Sequence, residues 1–268
     1  MKVVDWEDFA PDPDGLPLAA AIGVFDGLHL GHRALIDLVL SRGGMRRGVV
    51  TFRENPKKLL RPASFHGNLS TLSQKLELLE SMALEICVLI DFSGDFSRMA
   101  GRKFLSLLRE RGDLRYLAVG SDFRCGHRLD TGAHELREFF VAQGVEADIL
   151  DPVLRTGHPV SSSRIRKAVV DGRLEDARGM LGRDYEIDLR GCRPGSGGNG
   201  SLHFAPGGVQ VAPPAGLYEA ELVGPDGRLA TRAAFDGKGW EVEAGPGDGA
   251  AFPAEPVALR VVRSVSTE

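Results

Sequence analysis

The stretch Ala20–Ile36, AAIGVFDGLHLGHRALI, decides how this chain is read. An apolar run meets Gly23, two of the chain's seven histidines follow as His29 and His32, and apolar residues then recur at helical spacing. A buried strand handing over to an amphipathic helix opens a βαβ unit. At i and i+3, His29 and His32 share a face of the first helical turn. Unpaired N–H groups at a helix N-terminus favour phosphate. Gly23 and Gly27 let the backbone approach a ligand closely, and Gly31 leaves space between the imidazoles. The combination is an anion site with two extra donors, suited to a phosphoryl group whose charge builds up in a transition state. Two other readings stand beside it. The histidines could be surface or capping residues, or a metal pair, which needs a third ligand and more typically has i,i+4 spacing.

Outward from this stretch, the same alternation continues. Strands are predicted over 17–25, 47–52, 85–92, 114–120 and 145–150. Helices are predicted over 31–43, 70–84 (with Ser70 or Thr71 as N-cap), 100–112 and 133–144, and two closing helices over 161–172 and 174–182. Five strand–helix alternations imply an α/β domain with a parallel sheet, whose ligands sit at the carboxyl ends of the strands.

The character changes near Tyr185. Between Gly191 and Gly216, 12 of 26 residues are Gly or Pro, a linker or the loop-rich opening of a second domain. Beyond it GLYEAELVG, RLATRAAF, GWEVEAG and PVALRVVRSV alternate like short antiparallel strands, joined by PDG and DGKG turns. Residues 1–184 carry 26 basic and 26 acidic side chains, so the net charge of −4 sits wholly in residues 185–268. The expected domains are therefore 1–184 and 185–268.

The 268 residues are 43% hydrophobic and 26% charged, ordinary for a globular protein. The acidic balance argues against a general nucleic-acid binder. Cys87, Cys125 and Cys192 are odd in number and widely spaced, so neither a disulfide framework nor a zinc site is expected. MKVVDWEDFAPDPDG lacks the basic and apolar regions of a signal peptide, and no apolar run approaches a membrane span. A cytoplasmic location is the expectation. Nothing in the sequence specifies an oligomeric state.

A second cluster, VSSSRIRKAVV at 160–170, opens a helix with three serines followed by Arg164 and Arg166. Serine hydroxyls and helix N–H groups can hold phosphate oxygens, and Arg adds bidentate charge. Alone, it reads equally as a serine N-cap with a solvated basic face. Paired with HLGH, the phosphate reading is preferred.

IGVFDGLHLGH together with VSSSRIR resembles the HxGH nucleotidyltransferases, and more narrowly the adenylyltransferase half of bacterial FAD synthetases, which combine riboflavin kinase and FMN adenylyltransferase. GVFDG, VTF…P at Val50–Pro56, LSQKLELLE at Leu72–Glu80, VGSDFRCG at Val119–Gly126 and LGRDY at Leu181–Tyr185 occur in the family's order across about residues 18–190. The resemblance implies a Rossmann-like domain followed by a reduced riboflavin-kinase-like β barrel. It implies ATP and FMN as substrates, with Mg²⁺ arriving as Mg-ATP, and FAD and pyrophosphate as products. The backbone of Gly23, Val24, Phe25 and Asp26, with Gly31, His29 and His32, would embrace the triphosphate. Asp122 would contact the nucleotide, Ser162 and Arg166 would hold phosphates with Arg164 beside them, and FMN would lie over the loop holding Asn55 and Pro56.

Two departures stand out. The family's flavin loop usually reads T-F-x-P-H-P, and here TFRENP puts Glu54 and Asn55 where Pro and His are expected. The kinase half usually carries G-F-P-T-x-N, and nothing here matches it. GGNGSLHFAPGGVQ stands roughly in its place. FMN adenylylation without riboflavin kinase activity is the expected function. The alternatives are adenylylation of another phosphorylated small molecule, and a non-catalytic flavin- or nucleotide-binding regulator.

Overall fold

The computed structural model describes residues 1–92, 96–197, 200–205, 210–243, 252–253 and 255–265. The chain divides into two compact units, Met1–Phe65 with Lys75–Pro159, and His66–Gln74 with Val160–Glu268.

The first unit contains β1 (Lys2–Asp5), β2 (Leu18–Ile22), α1 (Leu30–Leu40), β3 (Arg46–Phe52), α2 (Pro56–Leu60) and most of α3 (Leu72–Glu80). It continues with β4 (Ile86–Ile90), α4 (Gly101–Gly112), β5 (Leu114–Gly120), the ribbon β6 (Arg124–Cys125) and β7 (Thr131–Gly132), α5 (Ala133–Val141), β8 (Glu146–Leu150), and the ribbon β9 (Leu154–Arg155) and β10 (His158–Pro159). Six strands pair in parallel in the order β1-β4-β3-β2-β5-β8. β2 and β4 are buried along their whole length, as strands covered on both faces must be. That is why LAAAI and ICVLI read as unbroken apolar runs. The chain runs outward from β2 through β3 to β4, then returns to β5 on β2's other side. The order therefore reverses between β2 and β5, the switch point where such sheets bind ligands.

β1 is an edge strand that alternation did not predict. It is four residues long and mostly exposed, and its position comes from parallel pairing with β4 and from the anchor that follows. Trp6 is buried 5.4 Å from the Phe104 ring and 5.9 Å from Phe96. Between the two expected caps of α3, Thr71 does the capping: its hydroxyl accepts from Gln74 N (3.2 Å) and Gln74 Oε1 accepts from Thr71 N (3.1 Å), a capping box.

The second unit holds α6 (Ser162–Val170), α7 (Leu174–Leu181), β11 (Tyr185–Asp188), β12 (Gly195–Ser196), β13 (Leu202–Phe204), β14 (Gly216–Gly224), β15 (Gly227–Phe235), β16 (Trp240–Val242) and β17 (Ala258–Ser264). Its strands form one antiparallel sheet in the order β11-β17-β14-β15-β16-β13-β12. The β14–β15 hairpin turns on Pro225 and Asp226. In the DGKG turn, Asp236 Oδ1 accepts from Lys238 N and Gly239 N at 2.7 Å. Trp240, Phe204, Leu222 and Leu259 are fully buried, with Phe235 stacked on Trp240 at 4.7 Å.

The sequence reading placed a boundary after residue 184, whereas the compact units divide after Pro159. The physical reason lies in α7, whose buried Leu174, Ala177, Met180 and Leu181 accompany packing against β11 and β17. The Gly/Pro-rich stretch, read as linker or loop, contributes β12 and β13 to the sheet. Gly198, Asn199 and residues 206–209, part of the segment standing in for the kinase motif, lie outside the described residues.

Candidate active site

The loop between β2 and α1 is shaped by its backbone. Phe25 (φ +52°) and Leu28 (φ +41°) are both fully buried in the left-handed region that non-glycine residues rarely adopt, with Gly27 (φ +81°) between them. Such conformations persist only where surrounding packing imposes them, and they gather at ligand sites. The Phe25 ring lies under Gly23, where a Cβ would meet it at 3.2 Å.

His29 is the N-cap of α1, and its Nδ1 accepts from His32 N at 3.3 Å. The two imidazoles are stacked, 3.6 Å between centroids and 14° between planes, and Phe25 meets His32 edge-on at 5.1 Å. Gly31 therefore does not hold the rings apart, as the sequence suggested: an i,i+3 pair on one turn brings them into contact. The capping reading therefore holds for His29, whose Nδ1 serves as the cap. The metal-pair reading loses His29 Nδ1, whose lone pair faces a backbone N–H. Among the described residues no group of three or more His, Cys, Asp or Glu could hold a metal ion.

His32 has its pKa well below 6.5, first through removal of water by the surrounding protein, then through repulsion from His29 and Lys75. It is neutral at physiological pH. It can offer a hydrogen bond to a phosphate without carrying a charge that the buried loop would have to accommodate. Its Nδ1 is buried without a partner among the described residues.

Lys75, within LSQKLELLE, adjoins the β2–α1 loop, a place that the sequence pattern does not indicate. It is buried, and its Nζ donates to Phe52 O (2.7 Å), Thr51 Oγ1 (3.4 Å) and Val24 O (3.4 Å). Burial lowers its pKa to about 8, with the Asp26 carboxylate opposing the shift. Asp26 is itself buried. The available signal was its place in the Leu72–Lys75–Leu79 row, where α3 should be apolar.

At the end of β3, Asn55 caps α2, its Oδ1 accepting from Lys57 N at 3.1 Å, with Pro56 at the first helical position. Glu54 is exposed and paired with Lys58 at 3.0 Å. The added carboxylate is therefore matched by a neighbouring cation. Asp122 is exposed in the turn that follows β5, the strand beside β2. Gly23, His29, Asn55, Pro56 and Asp122 thus all follow carboxyl ends of the central parallel strands.

In the second unit, Ser161 is the N-cap of α6. Its Oγ accepts from Arg164 N at 3.3 Å, and Ser162 is the first helical residue. Of the three serines, Ser162 is the one expected from the sequence to hold phosphate. The Arg166 Nε donates to Gly67 O at 2.9 Å, so its guanidinium is anchored within the unit rather than lying on a solvated face.

A parallel sheet whose switch-point loop carries stacked HxGH histidines at a helix N-terminus defines the nucleotidyltransferase class. The family model of FAD synthetases matches residues 14–164, and the chain belongs to that family. Among curated proteins, it is 28% identical over 178 residues to the bifunctional riboflavin kinase/FMN adenylyltransferase of Buchnera aphidicola subsp. Schizaphis graminum, covering 64% of this chain and 57% of that one. It is 28% identical over 211 residues to the protein of the same description from Escherichia coli K12, covering 76% and 67%. Among solved structures, a macrolide-efflux protein from Streptococcus pneumoniae superposes with a TM-score of 0.84 at 21% identity, over 100% of this chain and 93% of that one. This last likeness is one of fold, and it includes both units' architecture. No helix among the described residues is long and apolar enough to cross a membrane.

Proposed function

We propose that this protein transfers the adenylyl group of ATP to FMN, giving FAD and pyrophosphate, and that it does not phosphorylate riboflavin. The observation that carries the reading is the β2–α1 loop, with its left-handed Phe25 and Leu28 and the stacked His29 and His32 at a helix N-terminus, in a chain of the FAD synthetase family. The FMN phosphate oxygen attacks the α-phosphorus. The bond from the α-phosphorus to the bridging oxygen breaks, and pyrophosphate leaves with its Mg²⁺. The acceptor is already an anionic nucleophile, so the protein supplies position and charge neutralisation rather than a covalent intermediate.

In this reading the Gly23–Asp26 backbone, His29 and His32 meet the triphosphate. Asp122 contacts the nucleotide, Ser162, Arg164 and Arg166 serve phosphate oxygens, and the segment at Asn55–Pro56 faces the flavin. Asn55 contributes by shaping that segment, since its amide oxygen is occupied as a cap. The lack of kinase activity is supported by the sequence. Transfer to a riboflavin hydroxyl needs groups that fix metal-bound ATP, and residues 185–268 contain neither a Pro-Thr-x-Asn segment nor any lysine besides Lys238.

The test is incubation of pure protein with ATP, Mg²⁺ and either FMN or riboflavin, with flavins separated by chromatography. FAD from FMN, and neither FMN nor FAD from riboflavin, is the expected outcome. FMN appearing from riboflavin would refute the kinase-dead half. FMN left unchanged, with no pyrophosphate exchange into ATP, would refute the transferase.

A further inference from the structure

Lys75 places a cation where a helix of this kind would ordinarily put an apolar side chain, and its three donors are directed at three acceptors. One is Val24 O in the β2–α1 loop, and two are Thr51 Oγ1 and Phe52 O at the carboxyl end of β3. The Thr51 hydroxyl also donates to Val24 O, at 3.1 Å. Two hydrogen bonds therefore draw the Val24 carbonyl inward. In a trans peptide the N–H points opposite to the C=O, so the Phe25 N–H of the same peptide group is turned the other way, out of the core. The left-handed φ of Phe25 immediately after it, +52°, shows how far this peptide departs from relaxed backbone.

We propose that Lys75 is a positioning residue for adenylyl transfer. Its buried ammonium, through Val24 O, holds the Val24–Phe25 peptide with its amide presented to the ATP phosphates, and through Phe52 O it ties that loop to the segment that receives the acceptor. The inference rests on the adenylyltransferase reading above. A purely structural lysine would be an odd choice here, since a methionine of similar length would fill the same space without burying a charge. What methionine cannot do is hold three oxygen acceptors at once. The groups facing Lys75 are Asp26 from the loop, His32 from α1 and Cys87 from β4. The Cys87 thiol, pushed by burial to about 12, stays neutral over the working range. Asp26 is the nearby carboxylate that favours the charged ammonium, and the ammonium in turn helps to keep His32 neutral.

The experiment compares wild type, Lys75→Met and Lys75→Arg for FAD formation from FMN and ATP between pH 6.5 and 9.5. At pH 7, Lys75→Met should lose at least tenfold in kcat, with a smaller change in the KM for ATP, because the misplaced amide matters most where charge develops. In wild type, kcat should fall on the alkaline side with an apparent pKa of about 8, as the ammonium loses its proton. Arg stays charged over this range, so Lys75→Arg should show no such limb. An unimpaired, folded Lys75→Met would overturn the proposal, as would an alkaline limb that persists unchanged in Lys75→Arg. The Lys75→Arg profile, set against wild type, decides even if Lys75→Met fails to fold. A wild type that makes no FAD at all overturns the adenylyltransferase reading itself, whereas FAD formation indifferent to Lys75 overturns only this inference.

Discussion

At the residue scale, His32 is defined by what it cannot do, which is to hold a proton at neutral pH. The unfolded chain takes up a proton near pH 6.5 that the folded His32 refuses. The unfolded state thus binds more protons in the window from about 6.5 down to the lowered native pKa, and stability falls with pH there. The stabilisation is complete above 6.5. Chemical denaturation at pH 7.5 and 5.5 should show wild type losing stability on acidification by more than His32→Gln does. Equal losses would mean that His32 is not the group responsible. For turnover, His29→Ala and His32→Ala should each cost roughly a hundredfold in kcat, with ATP affinity much less affected. Near-normal turnover in both, in protein shown to be folded by circular dichroism, would remove the histidines from the chemistry. Arg166 is anchored through Nε to Gly67 O. Arg166→Lys keeps the charge and loses the planar fork. Its adenylyl transfer should drop clearly further than that of Arg164→Lys, and the reverse order would exchange their roles.

At the scale of elements, β17 shows how side chains fasten a strand between two neighbours. Arg260 reaches Glu186 on β11 (2.9 and 2.8 Å) and Glu221 on β14 (2.8 Å), and it is only partly exposed. A fork satisfied on both sides is worth more than an isolated surface pair. Arg260→Ala should therefore lower stability by about 1–2 kcal/mol, read as a drop in Tm of about 2–6 °C. No change in Tm would place the pair in the class of surface ion pairs that contribute nothing measurable. The end of β3 shows the converse, a local repair. Glu54 departs from the family's usual Pro, but Lys58 lies one helical turn later and the two are ion-paired. Asn55 starts the intervening helix as its cap. The substitutions at 54 and 55 are consistent with each other through α2, which a position-by-position comparison with the family loop does not show.

At the scale of the whole molecule, the packing within the second unit changes what a truncation would do. From sequence alone, all the named chemistry precedes Lys167, so a chain ending near Gly191 should retain some activity. The structure packs α7 against β17 and β11, and it pairs β11 with β17 along Tyr185–Asp188. Removing residues 191–268 would strip partners from α7 and β11 and expose Leu174, Met180 and Leu181. The truncated chain should therefore aggregate or, where soluble, show fast hydrogen exchange in α7 together with reduced adenylyl transfer. Full activity and native-like protection in a truncated chain would show the sheet to be dispensable.

The sequence by itself determined the alternation of the first unit, because strands buried on both faces and helices buried on one write their periods directly into residue order. It also determined the HLGH turn, the SSSRIR helix opening and the tail hairpins, whose signals are local: glycine placement, capping serines and PDG or DGKG turns. Tertiary structure alone decided β1, a short exposed strand held by β4 and by Trp6 packing on Phe104. It decided the strands within the Gly/Pro-rich stretch, which only cross-strand partners create, and the stacking of His29 on His32. It also decided the buried Lys75, whose significance depends on carbonyls 51 and 23 residues away in the chain. The division follows from range. Period, cap and turn are properties of neighbours in sequence, whereas edge pairing and the burial of a charge depend on groups that only folding brings together.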